Sequence, residues 1–173
     1  MSLTQSIPLP PGQWVAPDFQ LMGTDGKTYS LNDFSAAAGL VVIFTCNHCP
    51  YAQSAWPLLV DLSRTYQQRK IQFIAINPND PLEYPEDSFF EMQKRVEEWK
   101  IPFPYLVDAD QTVAKAYMAQ CTPDIYVFLQ DRRLYYHGRI NDLAEALDAL
   151  LIGQKPPVVQ PPSMGCSIKW KTV

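Results

Sequence analysis

Leu40-Val41-Val42-Ile43-Phe44-Thr45-Cys46-Asn47-His48-Cys49-Pro50 is the stretch on which the reading of this chain turns. Its first half, Leu40 to Thr45, is a continuous apolar run rich in β-branched residues, the pattern of a buried strand. Its second half carries two cysteines separated by two residues, and from Pro50 onward the sequence reads as a helix to about Arg69. At a helix N-terminus the unpaired N–H groups and the helix dipole favour negative charge, and so favour thiolate over thiol. One turn also brings the two sulfurs close enough to bond, so the junction is read as a redox pair. Cys46 is taken to lie nearest the helix end and to be the nucleophile, with a lowered pKa, and Cys49 to resolve the mixed disulfide it forms. His48, when cationic, stabilises the thiolate further.

Two bland readings compete. Half a zinc site would need a second cysteine pair or a histidine pair at ligand spacing, but Cys121 and Cys166 are single and far apart and His137 is isolated. A c-type haem site fails because the histidine lies inside the pair and Pro50 follows it. No metal and no cofactor is expected.

Working outward, 173 residues suit one domain, and 47% hydrophobic with 12% aromatic residues make it globular. The net charge of −4 leaves no basic surface for nucleic acid. The N-terminus lacks a basic start and a long apolar run, so no membrane association is expected and the protein is placed in the cytoplasm, where thiols stay largely reduced. Of the sixteen prolines half gather at two ends, Pro8 to Pro17 and Pro156 to Pro162, and predict extended arms. The chain divides into an arm over 1–15, a domain over 16–152 and a Pro-rich tail over 153–173.

Within the domain, Asp25-Gly26-Lys27 joins two strands of a hairpin. Ile71 to Asn77 is a second apolar strand, and Ser88-Phe89-Phe90-Glu91 is a capping box that opens a helix running to about Lys100. Pro57 inside the first helix predicts a kink. Tyr105 to Val107, Asp124 to Leu129 and Leu134 to His137 complete the strands, with a short helix over Gln111 to Met118 and an amphipathic one over Leu143 to Leu151. The order β-α-β-α-β, then a hairpin and a helix, predicts an α/β domain with a mixed sheet flanked by helices. Phosphate loops and other catalytic motifs are absent.

Ala16-Pro17-Asp18-Phe19, Asp25-Gly26-Lys27 and Leu31-Asn32-Asp33-Phe34, together with the cysteine pair and Cys121-Thr122-Pro123-Asp124, resemble the alkyl hydroperoxide reductase and thiol-specific antioxidant (AhpC/TSA) redoxins of the thioredoxin superfamily. The tail Pro162-Ser163-Met164-Gly165-Cys166-Ser167-Ile168-Lys169-Trp170-Lys171 resembles that of one subgroup of uncharacterised redoxins. The resemblance implies a thioredoxin-like fold with an N-terminal hairpin, and a cis peptide between Thr122 and Pro123 facing the active pair. Two departures stand out. Where thioredoxins carry a buried aspartate that serves proton transfer, this chain has Leu40, and the loop after Gly138-Arg139-Ile140 is shorter than in the subgroup.

The leading expectation is a thiol–disulfide oxidoreductase with an antioxidant or redox-maintenance role, its partners a protein disulfide or a thiol reductant such as thioredoxin. The alternatives are a thiol peroxidase and a non-enzymatic binding or metal-holding module. Peroxidases of this family place threonine three residues before the attacking cysteine, whereas Thr45 is one before Cys46 and four before Cys49. Tyr51, Trp56 and Trp14 are candidates to line a substrate groove. Cys121 and Cys166 are a candidate second redox pair, with the stiff Pro-rich segment carrying Cys166 back across the domain and Trp170 anchoring the tail.

Overall fold

The computed structural model describes residues 2–172. Its main sheet is built on β4 (Gly39–Phe44), which pairs in parallel with β5 (Ile71–Asn77) and antiparallel with β8 (Asp124–Leu129). Val41 to Phe44 are fully buried, which is why this strand reads as an unbroken apolar run rather than an alternating one. Outward from β5 come β6 (Tyr105–Val107), then the hairpin of β2 (Gln20–Gly23) and β3 (Thr28–Ser30). On the other side, β9 (Leu134–Gly138) follows β8, giving seven strands in the order β3-β2-β6-β5-β4-β8-β9.

Helices α1 (Pro50–Gln67), α2 (Phe89–Glu98) and α4 (Leu143–Leu151) contribute to the core on one face, with Trp56, Leu59, Met92 and Leu147 packed beside Val41, Ile43 and Phe73. Short helix α3 (Thr112–Ala116) and Leu9, Phe19 and Leu31 cover the other face around Val42, Phe44 and Tyr126. Of the capping box expected at Ser88 one half is formed, the Glu91 N–H donating to Ser88 Oγ at 3.3 Å, while the Glu91 carboxylate accepts from Lys94. Helix α1 begins with Pro50 at its first turn, where proline's missing N–H costs nothing, and runs on through Pro57.

The two arms do more than extend. β1 (Leu3–Gln5) and β10 (Met164–Ser167) pair with each other, and β10 pairs with β7 (Cys121–Thr122), making a three-stranded antiparallel sheet, β1-β10-β7. Ser6 and Ser163 fasten the same junction, the Ser6 N–H donating to the Ser163 carbonyl at 3.0 Å and the Ser163 N–H to Ser6 Oγ at 2.9 Å. Strands of two to four residues with no alternating pattern give no sequence signal above their proline-rich surroundings.

Beyond β10 the tail stays tied down. Ile168 is buried in the core on the α3 side, the Lys169 N–H donates to Asn79 Oδ1 and the Lys171 N–H to Gln111 Oε1, each at 2.9 Å. Trp170, expected as the anchor, is instead an exposed ring facing the Lys115 ammonium. Burying the smaller aliphatic side chain together with these backbone bonds does the anchoring.

Candidate active site

At the end of β4 the chain turns sharply and is clamped at every residue. The Thr45 N–H donates to the Ile76 carbonyl at 2.9 Å, and Trp56 Nε1 donates to the Cys46 carbonyl at 3.2 Å. Asn47 donates its N–H to Asp87 Oδ1 at 2.6 Å and its Nδ2 to the Glu86 carbonyl at 2.8 Å, while its Oδ1 accepts from the Tyr105 hydroxyl at 2.8 Å. Cys49 caps α1. Both cysteines are completely buried thiols packed against Thr122, with Cys46 Sγ 3.4 Å from Thr122 Oγ1 and Cys49 Sγ 3.4 Å from the Thr122 carbonyl oxygen. The Thr122–Pro123 peptide is cis.

The structure corrects the relative standing of the two cysteines. Helix α1 starts only at Pro50, so Cys49 rather than Cys46 sits at its N-terminus. The Cys49 pKa is drawn down to about 4, first because the Cys46 S–H donates to its sulfur, and further by the Cys166 side chain and the Ala52 and Cys166 N–H groups, against the cost of burial. Burial pushes Cys46 well above the ordinary thiol value, and the shared proton and the Asp87 charge act in the same direction. The two shifts run in opposite directions, making Cys49 the more acidic thiol of the pair.

His48 is not the solvent-facing imidazole its loop position allows. Its side chain is 7% exposed, its ring stacks on Tyr84 with centroids 4.4 Å apart, and its Nδ1 pairs with Asp87 Oδ2. Asp87 is a buried carboxylate beside Cys46, and sequence reasoning missed it. It lies in an acidic Pro-Glu-Asp turn just before the capping serine, where an acid reads as ordinary helix-flanking charge. It supplies the buried carboxylate that Leu40, a core residue, cannot.

Asp87 also accepts from Asn77 Nδ2 at 3.3 Å and from Asn79 Nδ2 at 2.9 Å. Ligand atoms of Cys46, His48 and Asp87 lie within 4.8 Å of one another, a spacing a metal could bridge. Four hydrogen bonds already engage the two Asp87 oxygens, however, two on each, so the arrangement fits a carboxylate–imidazole pair better than a metal ligand set.

Burial alone would lower the His48 pKa, but the hydrogen bond and charge of Asp87 outweigh it and raise the pKa above 6.5. Burial would raise Asp87, yet His48, Asn79 and the Asn47 N–H hold it below 3.8. The His48 contribution to stability is fully present below pH 6.5 and lost as pH rises through its raised folded value. That of Asp87 is present above 3.8 and lost as pH falls through its lowered one. In a proton NMR titration His48 is expected to titrate above 6.5, and in Asp87→Asn below it, because burial remains while the charge partner is gone. An unmoved titration would remove Asp87 from this role.

The remaining candidates are placed as follows. Trp56 is a largely buried residue under the loop that, with Gln53, Pro57 and Trp99, lines a groove of about 590 Å³ between α1 and α2, while Trp14 packs on Tyr117, Tyr126 and Phe128. Tyr51 is exposed and, with Leu58, Pro123, Arg139 and Met164, borders a groove of about 390 Å³. His137 pairs with Asp124 at 2.7 Å in the β8-β9 hairpin.

Cys166 lies opposite Thr122 in the β10-β7 register, so it shares the face that carries Cys46 and Cys49, and it packs with both and with Ala52. Cys121 is opposite Ser167, one position out of step, and antiparallel neighbours one residue apart point to opposite faces. The pairing of Cys121 with Cys166 is therefore not what the strands present. Cys121 Sγ is turned to the Pro123 carbonyl at 3.6 Å, and burial pushes its pKa far up.

The model of the AhpC/TSA family matches residues 13–137, spanning both the cysteine loop and the Thr122–Pro123 turn. The chain belongs to the AhpC/TSA family. Among solved structures it is 42% identical to an uncharacterised conserved protein from Geobacillus kaustophilus, covering 100% of this chain and 98% of that one at a TM-score of 0.96. A hypothetical protein from Sinorhizobium meliloti 1021 is 36% identical over 98% of this chain and 100% of its own, with a TM-score of 0.95. The thioredoxin domain of a thiol-disulfide oxidoreductase from Bacteroides vulgatus shares the fold at a TM-score of 0.71 and 20% identity, covering 83% of this chain and 99% of that one. No curated protein matches the sequence. This AhpC/TSA protein thus has a thioredoxin-like fold, and its family is one of redox enzymes.

Proposed function

We propose that the protein is a thiol–disulfide oxidoreductase whose redox couple is Cys46 and Cys49. The observation that carries this reading is two buried sulfurs, two residues apart at the N-terminus of α1, both packed against the Thr122–Pro123 turn. In the exchange, the Cys49 thiolate attacks one sulfur of a substrate disulfide, the substrate S–S bond breaks, and its second sulfur leaves as a thiolate. Cys46 passes its proton to that thiolate, with the Asp87–His48 pair alongside to hold charge in the transfer. Cys46, now a thiolate, then attacks the Cys49 sulfur, leaving Cys46 and Cys49 bonded and releasing the substrate with one thiol and one thiolate, the latter taking its proton from solvent. A thiol reductant such as thioredoxin restores the pair.

Cys49→Ser is expected to cut disulfide reduction in a turbidity assay to less than about a hundredth of the wild-type rate, the scale seen when a nucleophile is removed. Undiminished reduction would sink the reading. Hydroperoxide consumption is expected to be much slower than disulfide exchange, because neither cysteine has threonine three residues before it. Steady peroxide turnover at about 1 to 1000 per second with a thiol recycling system would reverse that order.

A further inference from the structure

Strand β10 carries a third sulfur to the redox pair. Cys166 is 3% exposed and packs in one cluster with Cys46, Cys49 and Ala52, and its place opposite Thr122 directs it to the face on which the Thr122 hydroxyl meets Cys46. The register is rigid, because β10 is held between β1 and β7 and the Ser6–Ser163 bonds close one end. Gly165, the residue before it, lets the strand lie this close: a Cβ there would come 2.0 Å from the Thr122 oxygen.

We propose that Cys166 is a third redox-active thiol of this site, exchanging into the Cys46–Cys49 disulfide to give a Cys49–Cys166 disulfide that pins the tail to the active centre. The inference rests on the Cys46–Cys49 exchange proposed above. The Cys166 sulfur attacks the Cys49 sulfur, the Cys46–Cys49 bond breaks as the Cys49–Cys166 bond forms, and Cys46 leaves as a thiolate that takes the Cys166 proton. Bonds and charge balance with no added oxidant, since the substrate disulfide has already supplied the oxidation. Burial holds Cys166 protonated, its pKa pushed up to about 11, so in the fully reduced protein it donates to the Cys49 thiolate rather than competing with it. A tail docked by ordinary hydrogen bonds becomes a covalently fastened one when the enzyme is oxidised.

The test is to oxidise the full chain with hydroxyethyl disulfide, block remaining thiols by alkylation, and digest without reduction. Cys46 and Cys49 share the tryptic segment 28–64, Cys166 lies in 140–169 and Cys121 in 116–132, so each pairing has its own mass. Linkage of 28–64 to 140–169 is expected in at least about a tenth of the oxidised protein, which corresponds to potentials within about 30 mV of the Cys46–Cys49 pair. In Cys46→Ala the same linkage is expected to account for nearly all oxidised chains, because Cys166 alone is left to displace the reagent from Cys49. A smaller linked fraction in the wild type, or linkage of 140–169 to 116–132, overturns the role of Cys166. So does a persistent adduct of the reagent on Cys49 in Cys46→Ala. Failure of the Cys46–Cys49 bond itself to form within 28–64 would instead overturn the exchange reading on which this one stands.

Discussion

At about pH 6 the reduced protein is expected to carry one full thiolate, where an ordinary cysteine with a pKa of about 8.5 would be only about 0.3% ionised, a difference of roughly 300-fold. The sulfur responsible is Cys49, whose pKa is drawn down to about 4 by the Cys46 S–H and by further donors from Cys166 and Ala52. Titration of the ultraviolet thiolate absorbance should show an inflection near pH 4, and it should vanish in Cys49→Ser. Cys46→Ala should shift it upward, because the largest single cause of the lowering is gone, while the other donors remain. For stability, a thiol pKa depressed from about 9 to about 4 contributes fully above the higher value and loses that contribution as pH falls to the lower one, so between about pH 9 and pH 4 the wild type should lose stability relative to Cys49→Ser. An inflection that follows Cys46 instead would restore Cys46 as the acidic thiol.

The second large effect belongs to Gly165→Ala. A methyl group 2.0 Å from the Thr122 oxygen cannot be accommodated, and the obstacle is backbone next to Pro123, not the end of a flexible side chain. Either β10 leaves β7 or the active-site turn moves. Overpacking of this kind costs about 1–3 kcal/mol, which urea denaturation would resolve. Because Cys46, Cys49 and Cys166 are almost wholly covered, alkylation of native protein should be slow in the wild type and at least about tenfold faster in the variant, the factor that about 1.4 kcal/mol of easier opening gives. Equal alkylation rates with equal stability would mean that β10 does not control access.

The residues that build the sheet announce themselves. Leu40 to Phe44 is apolar throughout, and Ile71 to Ile76 is apolar except for exposed Gln72, because both faces of the strands they form are covered, and Leu143 to Leu151 shows the helical period of a surface helix. The cysteine pair and Thr122–Pro123 are readable as local motifs. What the sequence hides is whatever depends on distant residues meeting. Asp87 reaches Cys46 and His48 across a fold, and nothing within its own turn distinguishes it from a surface acid. The ordering of the two thiols, by contrast, follows from a helix start at Pro50 that the sequence does show and that puts Cys49 rather than Cys46 at the helix end. Cys166 was legible as a thiol out of place in a polar tail, but its partner is set by a register of one residue, which no periodicity in a four-residue strand specifies.

The pairing of Leu3–Gln5 with Met164–Cys166 also bears on how the molecule is made. A ribosome delivers β1 and the cysteine loop well before β10, so the strand that covers the cysteines cannot dock until long after they have emerged. Contacts of such long sequence separation form late, after the local helices and the β4-β5 ladder. Every newly synthesised copy therefore passes through an interval in which Cys46 and Cys49 stand open to surrounding thiols and disulfides, before β10 docks and access to them depends on its opening.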